Sequence, residues 1–151
     1  MPQVGINNSA TQAANLPITS SVALVNTDLI IPIGASQKFI GRALLGVTLA
    51  GAASGAKVQV TVPAGGTAYM LAYEIINGNS GTVVQANIIT ASAAFSNALA
   101  NATNHYISFL ISIVNGTTAG NITVQFAQLV SDAAAATLLA NSWISGTLLA
   151  P

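Results

Sequence analysis

Residues 107–126, ISFLISIVNGTTAGNITVQF, carry the clearest fold signal in this chain. Every second residue from Ile107 to Ile113 is a large apolar one, and the alternation resumes at Ile122 after the segment NGTTAG. A period of two residues places the alternating side chains on one face of a β-strand. Two such strands joined by a connection rich in Asn, Gly and Thr predict a β-hairpin.

Strand signals of the same kind continue toward both ends of the chain. Residues 57–62, KVQVTV, alternate without error, and further strands are predicted over residues 39–49, 68–76, 82–90 and 143–149. Turn-forming segments separate these strands, and no amphipathic helix lies between them. We therefore predict an all-β fold, an antiparallel jelly-roll sandwich of about eight strands.

Three segments give mixed signals. Residues 22–25 and 29–33 are predicted as two short strands divided by a turn at residues 26–28, NTD. Residues 91–104 are predicted as a loop with room for one helical turn, because no charged polar face exists to hold a longer helix. Residues 133–136 are predicted as either one helical turn or a plain loop.

The chain has almost no charge. Only six of its 151 residues are Asp, Glu, Lys or Arg, its formal net charge is zero, and it has no Cys. Zero net charge gives no electrostatic attraction to nucleic acid or to an anionic membrane, and it removes the repulsion that keeps subunits apart. Residues 43–56 are too short to span a bilayer, and no signal peptide is visible at the N-terminus. We therefore expect an assembled protein that binds neither nucleic acid nor a membrane.

The ionisable residues do not predict a catalytic set, a metal site or a cofactor site. His105 is the only imidazole, and we expect a polar loop residue at the mouth of a strand, the alternative being a pH-sensitive interface contact. The acids are Asp28, Glu74 and Asp132, and none of them lies in a calcium-loop sequence. One His and three scattered acids do not supply a nucleophile, its base and an orienting group, so we predict no enzymatic activity.

Other candidate residues are expected to make contacts rather than to do chemistry. Glu74 is expected to pair with Arg42 or Lys57 on a neighbouring strand. Aromatic side chains are expected to anchor a core or an interface, with stacking on a sugar as the alternative. These aromatic residues are Tyr69, Tyr73, Tyr106 and Trp143. Glycosylation-type sequons are expected by chance in a chain so rich in Asn and Thr, and they begin at Asn7, Asn101, Asn115 and Asn121.

The first residues are predicted to form an arm. Residues 1–21 are polar and show no lasting apolar period, so we predict an extended N-terminal arm ahead of a jelly-roll domain over residues 22–151. The spaced apolar residues of the arm are Val4, Ile6, Leu16 and Ile18. Such an arm orders on a partner by pairing its backbone and burying these side chains, the alternative being a poorly ordered tail.

Two longer segments carry a family resemblance. Residues 26–65 read NTDLIIPIGASQKFIGRALLGVTLAGAASGAKVQVTVPAG, and residues 107–145 read ISFLISIVNGTTAGNITVQFAQLVSDAAAATLLANSWIS. With these segments, residues 26–149 resemble a jelly-roll module found at the ends of many tailed-bacteriophage structural proteins. The resemblance implies a trimeric jelly roll, like that of tumour necrosis factor, on a virion.

The resemblance and the composition together predict a role. We expect a capsid decoration (cement) protein on the outer surface of a phage head, with itself as a homotrimer and the major capsid protein as partners. The chain has no coiled-coil heptads and no collagen-like repeat, so a cap is expected rather than a fibre. The alternative is a head-fibre, tail-tip or receptor-binding module that contacts a host surface glycan.

Overall fold

A computed structural model describes residues 5–50, 55–76, 83–90, 94–97 and 105–150 of the chain. All regular structure in these residues is β-strand. The strands, in chain order, are β1 (Ile6–Thr11), β2 (Leu16–Ile18), β3 (Val25–Ile33), β4 (Lys38–Leu49), β5 (Ala56–Thr61), β6 (Thr67–Ile76), β7 (Val83–Thr90), β8 (Ala94–Asn97), β9 (His105–Val114), β10 (Gly120–Gln128), β11 (Ala136–Leu138) and β12 (Trp143–Leu149).

The strands pair in a nested order. β6 pairs with β7, β5 with β8, β4 with β9, β3 with β10, β2 with β11 and β1 with β12, always antiparallel. The two halves of the chain therefore run side by side, like the two arms of one long hairpin. The all-β prediction is confirmed, with twelve strands in the described residues where about eight were expected.

The paired strands form a two-sheet sandwich. The larger sheet has the order β1-β12-β4-β9-β6-β7 and also carries β2 and β11, while the smaller sheet has the order β3-β10-β5-β8. One hydrophobic core lies between the sheets and includes Phe39, Phe109 and Phe126, all fully buried. Each such side chain contributes about 1.5–3 kcal/mol to folding when it leaves water.

The predicted hairpin over residues 107–126 is wrong in its pairing. β9 lies in the larger sheet and β10 in the smaller one, so the segment NGTTAG connects the two sheets instead of turning back within one. Alternation buries one face of each strand in either arrangement, so the period of two does not distinguish a hairpin from a connection between sheets.

A second connection between the sheets lies beside the first one. The turn between β3 and β4 approaches Asn115, whose side-chain nitrogen donates hydrogen bonds to the carbonyl oxygens of Gly34 and Thr118, both at 2.8 Å. The Ser36 amide donates to the Gly116 carbonyl at 2.7 Å. These bonds satisfy backbone groups where the chain leaves one sheet for the other, so they hold this end of the sandwich closed.

The turn predicted at residues 26–28 is also wrong, because these polar residues lie inside β3. The Thr27 hydroxyl is buried and donates to the Val124 carbonyl at 2.8 Å. The register slips by two residues here, since Thr123 faces Ile30 while Gln125 faces Asn26. The polar cluster therefore marks a bulge in a long strand, a place where polar side chains bond to irregular backbone.

Two further strands lie where loops were expected. β8 lies within residues 91–104 and pairs with β5, and β11 begins at Ala136 and bridges β2 and β4. Both are very short, so their sequences hold too few residues for a period to show. Sheet pairing with longer neighbours supplies the order that their own sequences lack.

The N-terminal segment packs on its own domain. Residues 6–11 form β1, which pairs with β12 along its whole length, and β2 pairs with β11. Ile18 is buried in the core and Leu16 packs against it, whereas Ile6 is 61% exposed. Val4 lies outside the described residues.

This packing gives a matched pair of variants. We expect Ile18→Ala to lower the free energy of unfolding by about 2 kcal/mol or more, because it opens a cavity in the core. We expect Ile6→Ala to change it by less than about 0.5 kcal/mol. Urea unfolding of both variants measures the difference, and equal effects would contradict the placement of β2.

Candidate functional site

A shallow groove lies on the outer face of the larger sheet. It has a volume of about 870 Å³ and crosses strands β1, β12, β4, β9 and β6. We call it the outer groove, and its lining residues include Asn7, Ile40, Arg42, Tyr69, Leu71, Leu110, Ser112, Trp143, Ser145 and Thr147. These side chains alternate with the core residues of the same strands.

Strand register arranges these side chains in rows across the sheet. Thr147, Ile40, Ser112 and Tyr69 are successive register partners and form one row. The next outward-facing row contains Ser145, Arg42, Leu110 and Leu71. Each row therefore mixes aliphatic or aromatic side chains with hydroxyl groups, and only the second row carries a charge.

The apolar side chains of the outer groove lie open to solvent. Tyr69 is 60% exposed, Ile40 is 56% exposed and Leu110 is 47% exposed. Trp143, the only tryptophan of the chain, is half-buried at the far end. Adjacent exposed apolar side chains of this size are typical of an interaction surface, because a monomeric protein gains nothing from exposing them.

The outward-facing residues of β6 include one of the aromatic residues expected to anchor a core or an interface. Tyr69 and Leu71 lie on the outer face, whereas Ala68 and Met70 are buried against the core. Tyr73 lies in β6, but its side chain is outside the described part of the structure. Tyr69 is therefore available for an interface and is not part of the core.

The cations of the outer face have no described acidic partner. Arg42 and Lys38 are exposed on β4, and no ion pair is formed by either one among the residues that the structure describes. Glu74 was expected on a strand next to Arg42 or Lys57, and this is wrong. β6 has β7 and β9 as neighbours, β4 lies beyond β9, and β5 belongs to the other sheet.

The two described acids are bound within the chain. The Asp28 carboxylate accepts hydrogen bonds from the Gln12 side chain at 3.0 Å and from the Ala13 amide at 3.1 Å. The Asp132 carboxylate accepts from the Ala134 amide at 2.8 Å. Among the described residues no group of three His, Cys, Asp or Glu side chains is placed to hold a metal ion.

His105 lies elsewhere than predicted. It is the first residue of β9, opposite Val47 of β4, and it is fully buried rather than part of a polar loop. The alternation of β9 explains this position, because His105 has the same parity as the core residues Ile107 and Phe109. The sequence carries this alternation from His105 onward, and the predicted strand began two residues too late, at Ile107.

The sequons differ in accessibility. The Asn115 side chain is buried and bonded to two carbonyl groups, so it is part of the fold. Asn7 accepts a hydrogen bond from the Thr147 hydroxyl at 2.9 Å, and Asn121 is exposed. Asn101 lies outside the described residues. No helix in the described part of the chain has the length and apolar character to cross a membrane.

Comparisons with known proteins return only distant structures. No protein-family profile and no curated protein matches the sequence. A chain from the structure of infectious bursal disease virus, Gx strain, is 13% identical with a TM-score of 0.23, and the match covers 95% of this chain and 38% of that chain. A chain from the VP2 subviral particle of the same virus is 10% identical with a TM-score of 0.20, over 99% of this chain and 42% of that one.

This chain therefore spans about two-fifths of the length of the chains it is similar to. At these TM-scores the similarity carries no argument about function. The proposed role therefore rests on the sequence, the sandwich and its outer groove.

Opposite faces of one strand should respond differently to substitution. We expect Phe109→Ala in β9 to cost about 3–5 kcal/mol of stability, because Phe109 is fully buried. Leu110→Ser, at the next residue, is expected to cost less than about 1 kcal/mol because Leu110 faces the outer groove. Thermal or urea unfolding of the two variants tests the orientation of β9, and a reversed ranking would contradict it.

Proposed function

We propose that this chain is a virion structural protein, a capsid decoration (cement) protein that binds the outer surface of a phage head as a homotrimer. The observation that carries this proposal is a rigid sandwich whose outer groove exposes large apolar side chains in a chain with almost no charge. Such a surface stabilises contacts with other protein surfaces, because neutral groups are cheaper to remove from water than charges.

The sequence resemblance to phage jelly-roll modules supports the virion location. Residues 26–149 carry it, and they include ten of the twelve strands of the sandwich. A two-sheet sandwich fits a broad head surface, and residues 1–151 carry no coiled-coil heptads or collagen-like repeat of the kind that builds a fibre.

A structural rather than catalytic role is part of this proposal. The carboxylates of Asp28 and Asp132 are occupied by hydrogen bonds within the fold, and His105 is buried away from the outer groove. General acid–base chemistry needs a titratable group that reaches a substrate, and the outer groove offers hydroxyls and one guanidinium.

A second candidate is a head-fibre, tail-tip or receptor-binding module that contacts a host glycan. The observation that favours it is the pair of aromatic side chains at the two ends of the outer groove, Tyr69 and Trp143. Aromatic rings of this kind stack on sugar faces as well as on protein side chains.

Native mass spectrometry tests the assembly. We expect the purified chain to be a trimer at micromolar concentration, because its net charge is zero and exposed apolar side chains outside the outer groove, such as Val25 and Ile30, are available for contacts between protomers. Sedimentation velocity provides an independent measurement. A stable monomer in both experiments would contradict the proposed homotrimer.

The number of copies per particle separates the two candidate roles. We expect quantitative mass spectrometry of purified virions to find on the order of hundreds of copies, since a closed shell repeats its surface sites by symmetry. Reconstitution on particles that lack the chain should raise their resistance to heat. A count close to that of a single tail structure would favour the receptor-binding candidate instead.

A further inference from the structure

We propose that the outer groove binds a segment of the capsid protein that carries one carboxylate between apolar side chains. The identity of the partner rests on the proposed function, while the chemistry of the segment rests on the groove itself. Arg42 would bind the carboxylate, and the apolar side chains of the segment would cover Ile40, Leu110 and Tyr69.

The described part of the outer face carries positive charge. Arg42 is exposed in the second row of the outer groove, and Lys38 lies on the same face of β4. No acidic side chain is described on this face. The face is therefore positive although the chain as a whole is neutral. A planar guanidinium among apolar side chains favours a ligand that brings a carboxylate, because the pair forms two parallel hydrogen bonds.

The residue types that line the outer groove are those found in protein interfaces. The described lining residues of the outer groove combine Arg42, Tyr69 and Trp143 with aliphatic side chains, and none of them is Lys, Asp or Glu. Arg, Tyr and Trp dominate the binding energy of protein interfaces, and the fully buried centre of an interface is depleted in other charged residues. This is the composition of a protein-binding surface before its partner covers it.

The length of the outer groove matches a short extended peptide. Tyr69 lies three strands from Trp143, and the rows that contain them are four residues apart along β4. Strand spacing and rise give a diagonal of about 20 Å, the length of roughly six residues of extended chain. Arg42 lies between these two rows, so a single extended segment reaches both aromatic side chains and Arg42.

A second copy of this chain is a poorer occupant. Apposing two outer grooves brings Arg42 and Lys38 of one copy toward the same cations of the other, and like charges oppose such contacts. The described acids that another copy offers, Asp28 and Asp132, already accept hydrogen bonds within their own chain. The carboxylate is therefore better supplied by a different protein.

A glycan is also a poorer occupant. The aliphatic side chains Ile40 and Leu110 lie on β4 and β9 in the middle of the groove, where sugar hydroxyls would lose water without gaining hydrogen bonds. Apolar side chains of a peptide lose nothing in that position. The hydroxyl and amide groups of Ser112, Ser145 and Asn7 then bind backbone groups of the segment.

Capsids assembled without this chain provide the test, with the full-length protein and its variants titrated onto them. We expect Arg42→Glu to weaken binding by about tenfold or more, as loss of a buried charge pair does. Tyr69→Ser should also weaken binding. The controls are Lys57→Glu, the same charge change on the smaller sheet, and Val130→Ser at a residue that is 53% exposed outside the groove. Both controls should bind as the wild type does.

Trp143 provides a second readout. As the only tryptophan, it reports occupancy of the outer groove through its fluorescence. We expect short overlapping peptides of the capsid protein, prepared without tryptophan, to shift its emission when they contain an acid between apolar residues. Replacement of that acid by its amide should abolish the shift.

The outcomes are distinguishable. Wild-type binding to capsids with undiminished binding by Arg42→Glu and Tyr69→Ser overturns this proposal and leaves the decoration role standing. Absence of wild-type binding overturns the decoration role and this proposal with it. Dissociation of the oligomer by Arg42→Glu in native mass spectrometry would assign the groove to contacts between copies. Arg42-dependent binding on a glycan array without capsid binding would assign it to a sugar.

Discussion

The nested pairing of strands is the constraint on which the rest of the structure depends. Each strand of the first half is paired with its mirror-image strand of the second half, from β6 with β7 to β1 with β12. The outer pairs join residues that are far apart in the chain, so closing them costs more loop entropy than closing the inner pairs. Because β1 pairs with β12, the N-terminal segment and the last strand stabilise each other.

A chain with so few charges has to satisfy its buried polar groups with neutral amides. Gln128 is fully buried, and its side chain accepts from the amides of Ser21 and Asp132 and donates to the carbonyls of Asp132 and Ala134. The Asn115 side chain likewise donates to backbone carbonyl groups at the connections between the sheets. Neither amide titrates, so these hydrogen bonds do not depend on pH.

Alternation in the sequence predicted the long strands well and their partners poorly. β5, β6, β7 and β12 lie within a residue or so of their predicted bounds, because each contains enough alternating residues to show the period. Pairing depends on what a strand meets after folding, so β9 and β10 looked like a hairpin although they belong to different sheets. Short strands such as β8 and β11 are ordered by their neighbours and leave no period to read.

The outer groove was hidden from the sequence for a related reason. In β4 and β9 the outward face also carries large apolar residues, among them Ile40 and Leu110, so alternation identifies the core face but does not show that the other face forms a groove. A strand buried on one face typically has a polar opposite face, and in these strands Ile40, Leu110 and Val114 interrupt it. Folding therefore leaves these apolar side chains exposed. The outward face is removed from water only when another molecule covers it. That molecule has to bring a carboxylate to Arg42, because the guanidinium would otherwise be a buried charge without a partner.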